Sequence, residues 1–181
     1  MRRLPEVWAS VQERRLSGET ALVRRRHQAT HRLYAWRVRT GAEVAVFVAR
    51  RDASEVLILH RSPVQGGYWH VVAGGVEPDE DPVTAARREL LEETGLDMAV
   101  SAGPRVVEYV NPLTEEPPDR REKYDPSLVE IEVSCFRCDA PEDWEPVLDW
   151  EHDDYRWCRV GEAVASLRWR GTAQALLKML R

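Results

Sequence analysis

Residues Gly74 to Leu96 read GGVEPDEDPVTAARRELLEETGL, a glycine turn followed by three carboxylates, Glu89, Glu92 and Glu93, at helical spacing. Successive helical residues rotate by roughly 100°, so positions i, i+3 and i+4 share a face and these side chains crowd together. In water their repulsion is only about a few tenths of a kcal/mol per pair. Converging on a concave site they need a cation, and hard oxygen ligands select Mg²⁺ or Mn²⁺ over zinc. Asp81 is placed to cap the helix, Pro82 suits its first position and Gly95 stops it. Val83, Ala86 and Leu90 are expected to form the apolar stripe that docks it on a core. Gly74 and Gly75 permit backbone conformations closed to other residues, so that a carbonyl or amide can approach a bound ion or phosphate.

Working outward, Ala42 to Arg50 (AEVAVFVAR) and Glu55 to Arg61 (EVLILHR) read as buried strands, with a short strand at Trp69 to Val72 leading into the turn. Beyond the helix, strands are expected near Val100 to Val110, Leu128 to Cys138 and Tyr155 to Arg159, and a final helix from Thr172 to Leu180. Ahead of this region, Pro5 to Leu16 suits a short helix, and Thr20 to Arg26 with His31 to Arg39 suits a hairpin. Periodicity alone gives a mixed α and β domain.

At 181 residues, 43% hydrophobic and 31% charged, the chain suits one soluble globular domain. The start, MRRLPEVWASVQERRL, lacks the apolar stretch of a secretory signal, and no later run approaches membrane-spanning length, so the cytoplasm is the expected compartment. Met1 to Arg61 holds 13 Arg against 6 acidic residues, although the whole chain carries −5. A basic face opposite an acidic site can hold the phosphates of a polyanion, and a solvated arginine face is the other reading. Cys135, Cys138 and Cys158 are an odd set, and the Cys-x-x-Cys pair lacks the second pair of a zinc site. On a strand an odd separation points the pair to opposite faces, so all three read as reduced, packed thiols.

Gly74, Glu80, Arg88-Glu89-Leu90, Glu92-Glu93 and Gly95-Leu96 fall at every defined position of the Nudix hydrolase signature, and the chain resembles that family. The resemblance implies an α/β fold, the Nudix α/β/α sandwich with a mixed β-sheet, over residues 41–181. Residues 1–40 are then an amino-terminal extension of unclear role packed on the domain. Glu151-His152 shortly before Tyr155-Arg156-Trp157, together with Trp69 and Arg61, is similar to a subgroup, the dihydroneopterin triphosphate and dATP pyrophosphatases. The resemblance implies metal ligands at Glu89, Glu92, Glu93 and Glu151 with the Gly74 backbone. It also implies a Glu80–Arg88 ion pair that orients the catalytic helix.

Catalytic roles are expected at Glu92, Glu93, Glu151 and Arg88, with Glu92 or Glu151 as general base. Arg61 is either a phosphate clamp or a strand-end residue in solvent, and His152 either assists proton transfer or makes a structural hydrogen bond. Trp69 is expected beneath the turn rather than under a base, and Glu130 and Glu132 face either the metal or solvent. The segment Asn111 to Ser127, with four prolines, is too long for a simple turn and reads as a recognition segment or a surface loop. The function expected is a Mg²⁺-dependent (or Mn²⁺-dependent) pyrophosphatase of a nucleoside triphosphate or pterin equivalent. Hydrolysis of ADP-ribose or dinucleoside polyphosphates is the alternative within hydrolases, and a non-catalytic nucleotide- or RNA-binding module is the alternative of another class. Neither a membrane nor a nucleic-acid partner is expected, and a homodimer is left open.

Overall fold

Side chains of a strand alternate between two faces, and in β1 (Ala42–Arg50) both sets are apolar. Val44, Val46 and Val48 join one hydrophobic cluster, while Ala45 and Phe47 join another. A strand buried on both faces needs a covering layer on each side. The computed structural model describes residues 39–102 and 107–180 and has that three-layer arrangement. The helix expected at Pro5 to Leu16 and, but for Arg39, the hairpin after it lie outside the described residues.

After β1 come β2 (Glu55–Arg61), β3 (Trp69–His70), β4 (Val72–Gly75), α1 (Pro82–Thr94), β5 (Val107–Pro112), α2 (Pro118–Arg121), β6 (Glu130–Asp139), β7 (His152–Arg159), α3 (Val160–Ser166) and α4 (Arg170–Met179). The sheet runs β3-β2-β1-β6-β5, with β4 on β1 and β7 on β2. Only β1 and β6 pair in parallel, so the sheet is mixed as expected. On one face α1 packs through Ala85, Ala86 and Leu90. On the other lie α3 and α4, through Ala163, Ala173, Ala175, Leu176 and Met179.

Val83 does not dock as expected. It is 47% exposed, because the whole first turn of α1, Pro82 to Thr84, is solvent-facing and burial begins at Ala85. Cys135 and Cys138 lie in opposite clusters, and all three cysteines are free. Burial pushes the Cys135 thiol up to about 12 and the Cys138 thiol to about 11, as suits packed, unreactive groups. Trp69 is half-buried on β3, with the Arg156 guanidinium 4.2 Å over its ring. Glu130 and Glu132 face solvent. No helix among the described residues is long and apolar enough to cross a membrane.

Candidate active site

The glycine turn and α1 are brought together by the β1–β4 register, in which Val44 lies opposite Gly74 and Glu43 opposite Gly75. Asp81 caps α1 by accepting from the Val83 and Thr84 amides at 3.0 and 3.1 Å. Gly95 ends it at φ 75, a conformation that favours glycine. Gly74 and Gly75 are not among the residues with positive φ, so the turn does not use the left-handed backbone that glycine permits. Space is the reason instead: a Cβ on Gly74 would coincide with the Glu89 carboxyl, which fills the hollow beside the turn.

Arg88 is the knot of this corner. Its Nε and Nη2 donate to the two oxygens of Glu80 at 3.0 and 2.9 Å, the expected ion pair. Nη2 also donates to the Gly75 carbonyl at 2.8 Å, and Nη1 to Glu89 at 2.7 Å and Glu92 at 3.3 Å. One guanidinium thereby ties the turn to α1 and sets the bearing of two carboxylates.

A second arginine does the same at the other end of the helix. Pairing of β2 with β7 sets Arg61 opposite His152, so Arg61 Nη1 donates to Glu151 while Nη2 stands 3.8 Å from Glu93. Glu93 is buried and accepts from the Ala73 amide at 3.2 Å. His152 Nε2 lies 3.9 Å from Glu93 and shares a 2.7 Å hydrogen bond with His70 Nε2, while its Nδ1 bonds Asp149 at 2.6 Å. Asp149 also accepts from the Glu151 amide at 3.1 Å. The sequence reading did not single out His70 or Asp149. Each lies close in sequence to a residue it did name, Trp69 and the Glu151-His152 pair, and the pairing of β2 with both β3 and β7 brings them to His152 beside the acidic cluster.

Burial is the chief cause of the electrostatics. It pushes the Glu89 carboxyl up to about 7, with Arg88 opposing and Glu92 adding to the rise. Glu93 goes well above the ordinary carboxylate range, again by burial first, with Arg61 opposing and Glu89, Asp149 and Glu151 reinforcing. Burial, then Arg61 and His152, hold the His70 imidazole well below its ordinary value, in the neutral form. Glu89, Glu92, Glu93 and Glu151 thus meet Arg61 and Arg88 with negative charge in excess.

The signature that carries this geometry belongs to a known fold, for the NUDIX domain matches residues 39–179. The chain belongs to the NUDIX family. Dihydroneopterin triphosphate diphosphatase of Haemophilus influenzae is 31% identical to this Nudix chain over 137 residues, 76% of this chain and 85% of that protein. The structure of the E. coli dihydroneopterin triphosphate pyrophosphohydrolase superposes with a TM-score of 0.67 at 25% identity, over 80% of this chain and 97% of that one. An octanoyltransferase of Myxococcus xanthus is 32% identical over 133 residues, 74% of this chain, but the chain spans only 34% of that protein's length.

Nudix hydrolases use divalent metal ions, and the donor set here suits one chemically: four carboxylates, two of them driven by burial and repulsion toward protonation, which a cation would reverse. The hollow kept open by Gly74 holds one of these carboxylates. Arg88 and Arg61 divide the acids between them, and among the described residues no group of three His, Cys, Asp or Glu is gathered closely enough to hold an ion as it stands.

Proposed function

We propose that this Nudix hydrolase is a Mg²⁺-dependent pyrophosphatase that cleaves a nucleoside triphosphate, or its pterin equivalent, to a monophosphate and pyrophosphate by attack of water at phosphorus. The observation that carries the reading is the meeting of four glutamates with two arginines beside the glycine turn. The two relatives named for dihydroneopterin triphosphate support the substrate class. Such substrates belong to the cytoplasmic nucleotide pool, where we place the protein.

Mg²⁺, or Mn²⁺, is assigned to Glu89, Glu92, Glu93 and Glu151 with the Gly74 backbone alongside, on the hard-oxygen character of the donors. Bound there, a divalent ion offsets the charge that builds on the phosphate oxygens and acidifies water. The chain's own groups do the rest. Arg61, with its Nε free of any hydrogen bond, offers its guanidinium to a phosphate oxygen. Arg88, spent on three carboxylates and a carbonyl, holds α1 and its ligands in place. Glu92 or Glu151 takes the proton of the attacking water on a carboxylate oxygen. Asp149 fixes the His152 ring, and with it the start of β7, so that Glu151 keeps its bearing.

Glu93→Gln keeps the shape of a buried side chain and removes its charge. Turnover of a triphosphate should fall by orders of magnitude while cooperative thermal unfolding persists, and near-wild-type turnover would overturn the reading. Products separate it from its rivals: a triphosphate yields pyrophosphate, detected as phosphate after added pyrophosphatase, whereas ADP-ribose yields AMP and ribose phosphate.

A further inference from the structure

Beside the acidic corner lies a cavity whose wall is shared with it through Arg61 and Ala73. The rest of the wall includes Tyr68, Trp169, Asn111 and Glu116, which the hydrolytic chemistry does not use. Tyr68 and Trp169 stand edge to face with centroids 6.2 Å apart, and the Arg168 guanidinium lies 5.1 and 4.9 Å over their rings.

Two carboxylates reach this cavity, and their partners differ. Glu43 accepts from Arg39 at 2.8 Å, from Arg120 at 3.2 Å and from the Tyr124 hydroxyl, so its capacity is spent within the fold. Glu116, with a side chain 3% exposed, has Arg120 Nε 3.2 Å from its Oε2, an ion-pair distance without hydrogen-bond alignment. Among the described residues the buried side-chain atoms that make no hydrogen bond are Arg61 Nε, Ser62 Oγ and Glu116 Oε2. Two of these three line one cavity, a donor beside the acidic corner and an acceptor elsewhere in the wall. Buried polar groups are rarely left so, and water, an ion or a ligand is what completes one.

We propose that Glu116 is a specificity-determining residue, accepting the two adjacent N–H donors of a 2-amino-4-oxopyrimidine edge, the edge that guanine and pterin share. The inference rests on the triphosphate reading given above. A carboxylate offers two parallel acceptors and no donor. Adenine and cytosine set an acceptor next to their amino group, and uracil and thymine flank their N–H with two carbonyls, so each would turn a lone pair toward Glu116. Only the 2-amino-4-oxo edge presents two donors side by side, the pairing that makes bidentate contacts selective. The free space is about 40 Å³, room for water and not for a ring. The heterocycle therefore enters only as the Arg120 guanidinium gives up its bonds to Glu43 at 3.2 Å and to the Tyr68 hydroxyl at 3.1 Å. Arg39 and Tyr124 remain on Glu43, and the N–H pair then takes over toward Glu116 the part that Arg120 fills without alignment.

Inosine triphosphate differs from GTP in lacking the 2-amino group, which makes the pair a direct probe. The wild-type chain should show kcat/KM for GTP roughly 10- to 100-fold above that for inosine triphosphate. In Glu116→Gln, whose amide opposes a second donor, that ratio should fall to about one or below. Dihydroneopterin triphosphate, assayed beside GTP, decides which carrier of the edge is preferred. Equal wild-type efficiency on GTP and inosine triphosphate, or an unaltered ratio in Glu116→Gln, overturns the role of Glu116 while leaving pyrophosphatase action standing. Absence of hydrolysis across the panel overturns the pyrophosphatase reading instead, and calorimetric titration with GMP against IMP still reads the wild-type preference. Should Glu116→Gln fail to fold, the wild-type ratio alone decides.

Discussion

Gly74 is small for a reason of space, and the consequence is specific. A methyl there overlaps the Glu89 carboxyl, which is the far end of a flexible side chain and swings aside more easily than backbone would move. Overpacking a site usually costs about 1–3 kcal/mol, and a mobile neighbour puts Gly74→Ala at the low end. The displaced carboxylate is nevertheless an assigned metal ligand. Gly74→Ala is therefore expected to unfold within a few degrees of wild type yet need at least roughly 10-fold more Mg²⁺ for half-maximal turnover. A Mg²⁺ titration superimposable on wild type would remove Gly74 and Glu89 from the ligand set together. Arg61 depends on its neighbours in the same way: the sequence favours a phosphate clamp slightly over a strand end in solvent, and pairing with Glu151 and Glu93 buries most of its side chain.

Between β5 and β6 the chain carries the segment Asn111 to Ser127, where sequence offered prolines and charges and therefore either recognition or a surface loop. One buried acid on β1 organises it. Glu43 binds Arg39 ahead of its own strand and Arg120 and Tyr124 across the segment, while Leu113 fastens the near end through its amide to the Val129 carbonyl at 2.8 Å. Burial opposes the charge on Glu43, but Arg120, Arg39 and the Tyr124 hydroxyl outweigh it and hold the carboxyl below the ordinary range. A depressed folded-state pKa contributes stability that is complete above the ordinary carboxylate range and lost as pH falls through the depressed value. Glu43→Gln, which removes the counter-charge that Arg39 and Arg120 share, should cost roughly 3 kcal/mol at neutral pH. The cost should shrink on acidification, where wild type loses the same contribution. Urea midpoints at neutral and acid pH measure both, and a pH-independent difference would show that hydrogen bonding, not charge, holds the segment. What was legible follows from this contrast. β1, β2, α1 and α4 declare themselves by local period, and the acidic corner by a fixed spacing within one helix. Glu43 and His70 gain their meaning from partners 77 to 82 residues away. Asp149 and Glu116 have near neighbours for partners but meet the site and its cavity only through the fold, and α3, a short helix directly after β7, lacks an apolar period long enough to read.

Across the molecule, two hydrophobic clusters close both faces of the sheet and hold in register an acidic corner that opposes folding. Glu89, Glu92, Glu93 and Glu151 are largely buried beside the guanidinium groups of Arg61 and Arg88, and burial with mutual repulsion raises the carboxyls of Glu89 and Glu93. Nothing in an unfolded chain gathers these groups, so a divalent cation binds the folded state and stabilises it by mass action. At a hundredfold excess over its dissociation constant the gain is about 2.7 kcal/mol. In a chain of this length that corresponds to about 5–10 °C in Tm. Thermal scans with Mg²⁺ or Mn²⁺ against chelator should show this rise, smaller in Glu151→Gln if that distal carboxylate shares the ion. A Tm indifferent to both cations in the wild-type chain would mean that Arg61 and Arg88 already satisfy the corner, and the metal assignment would fail whatever the sequence signature suggests.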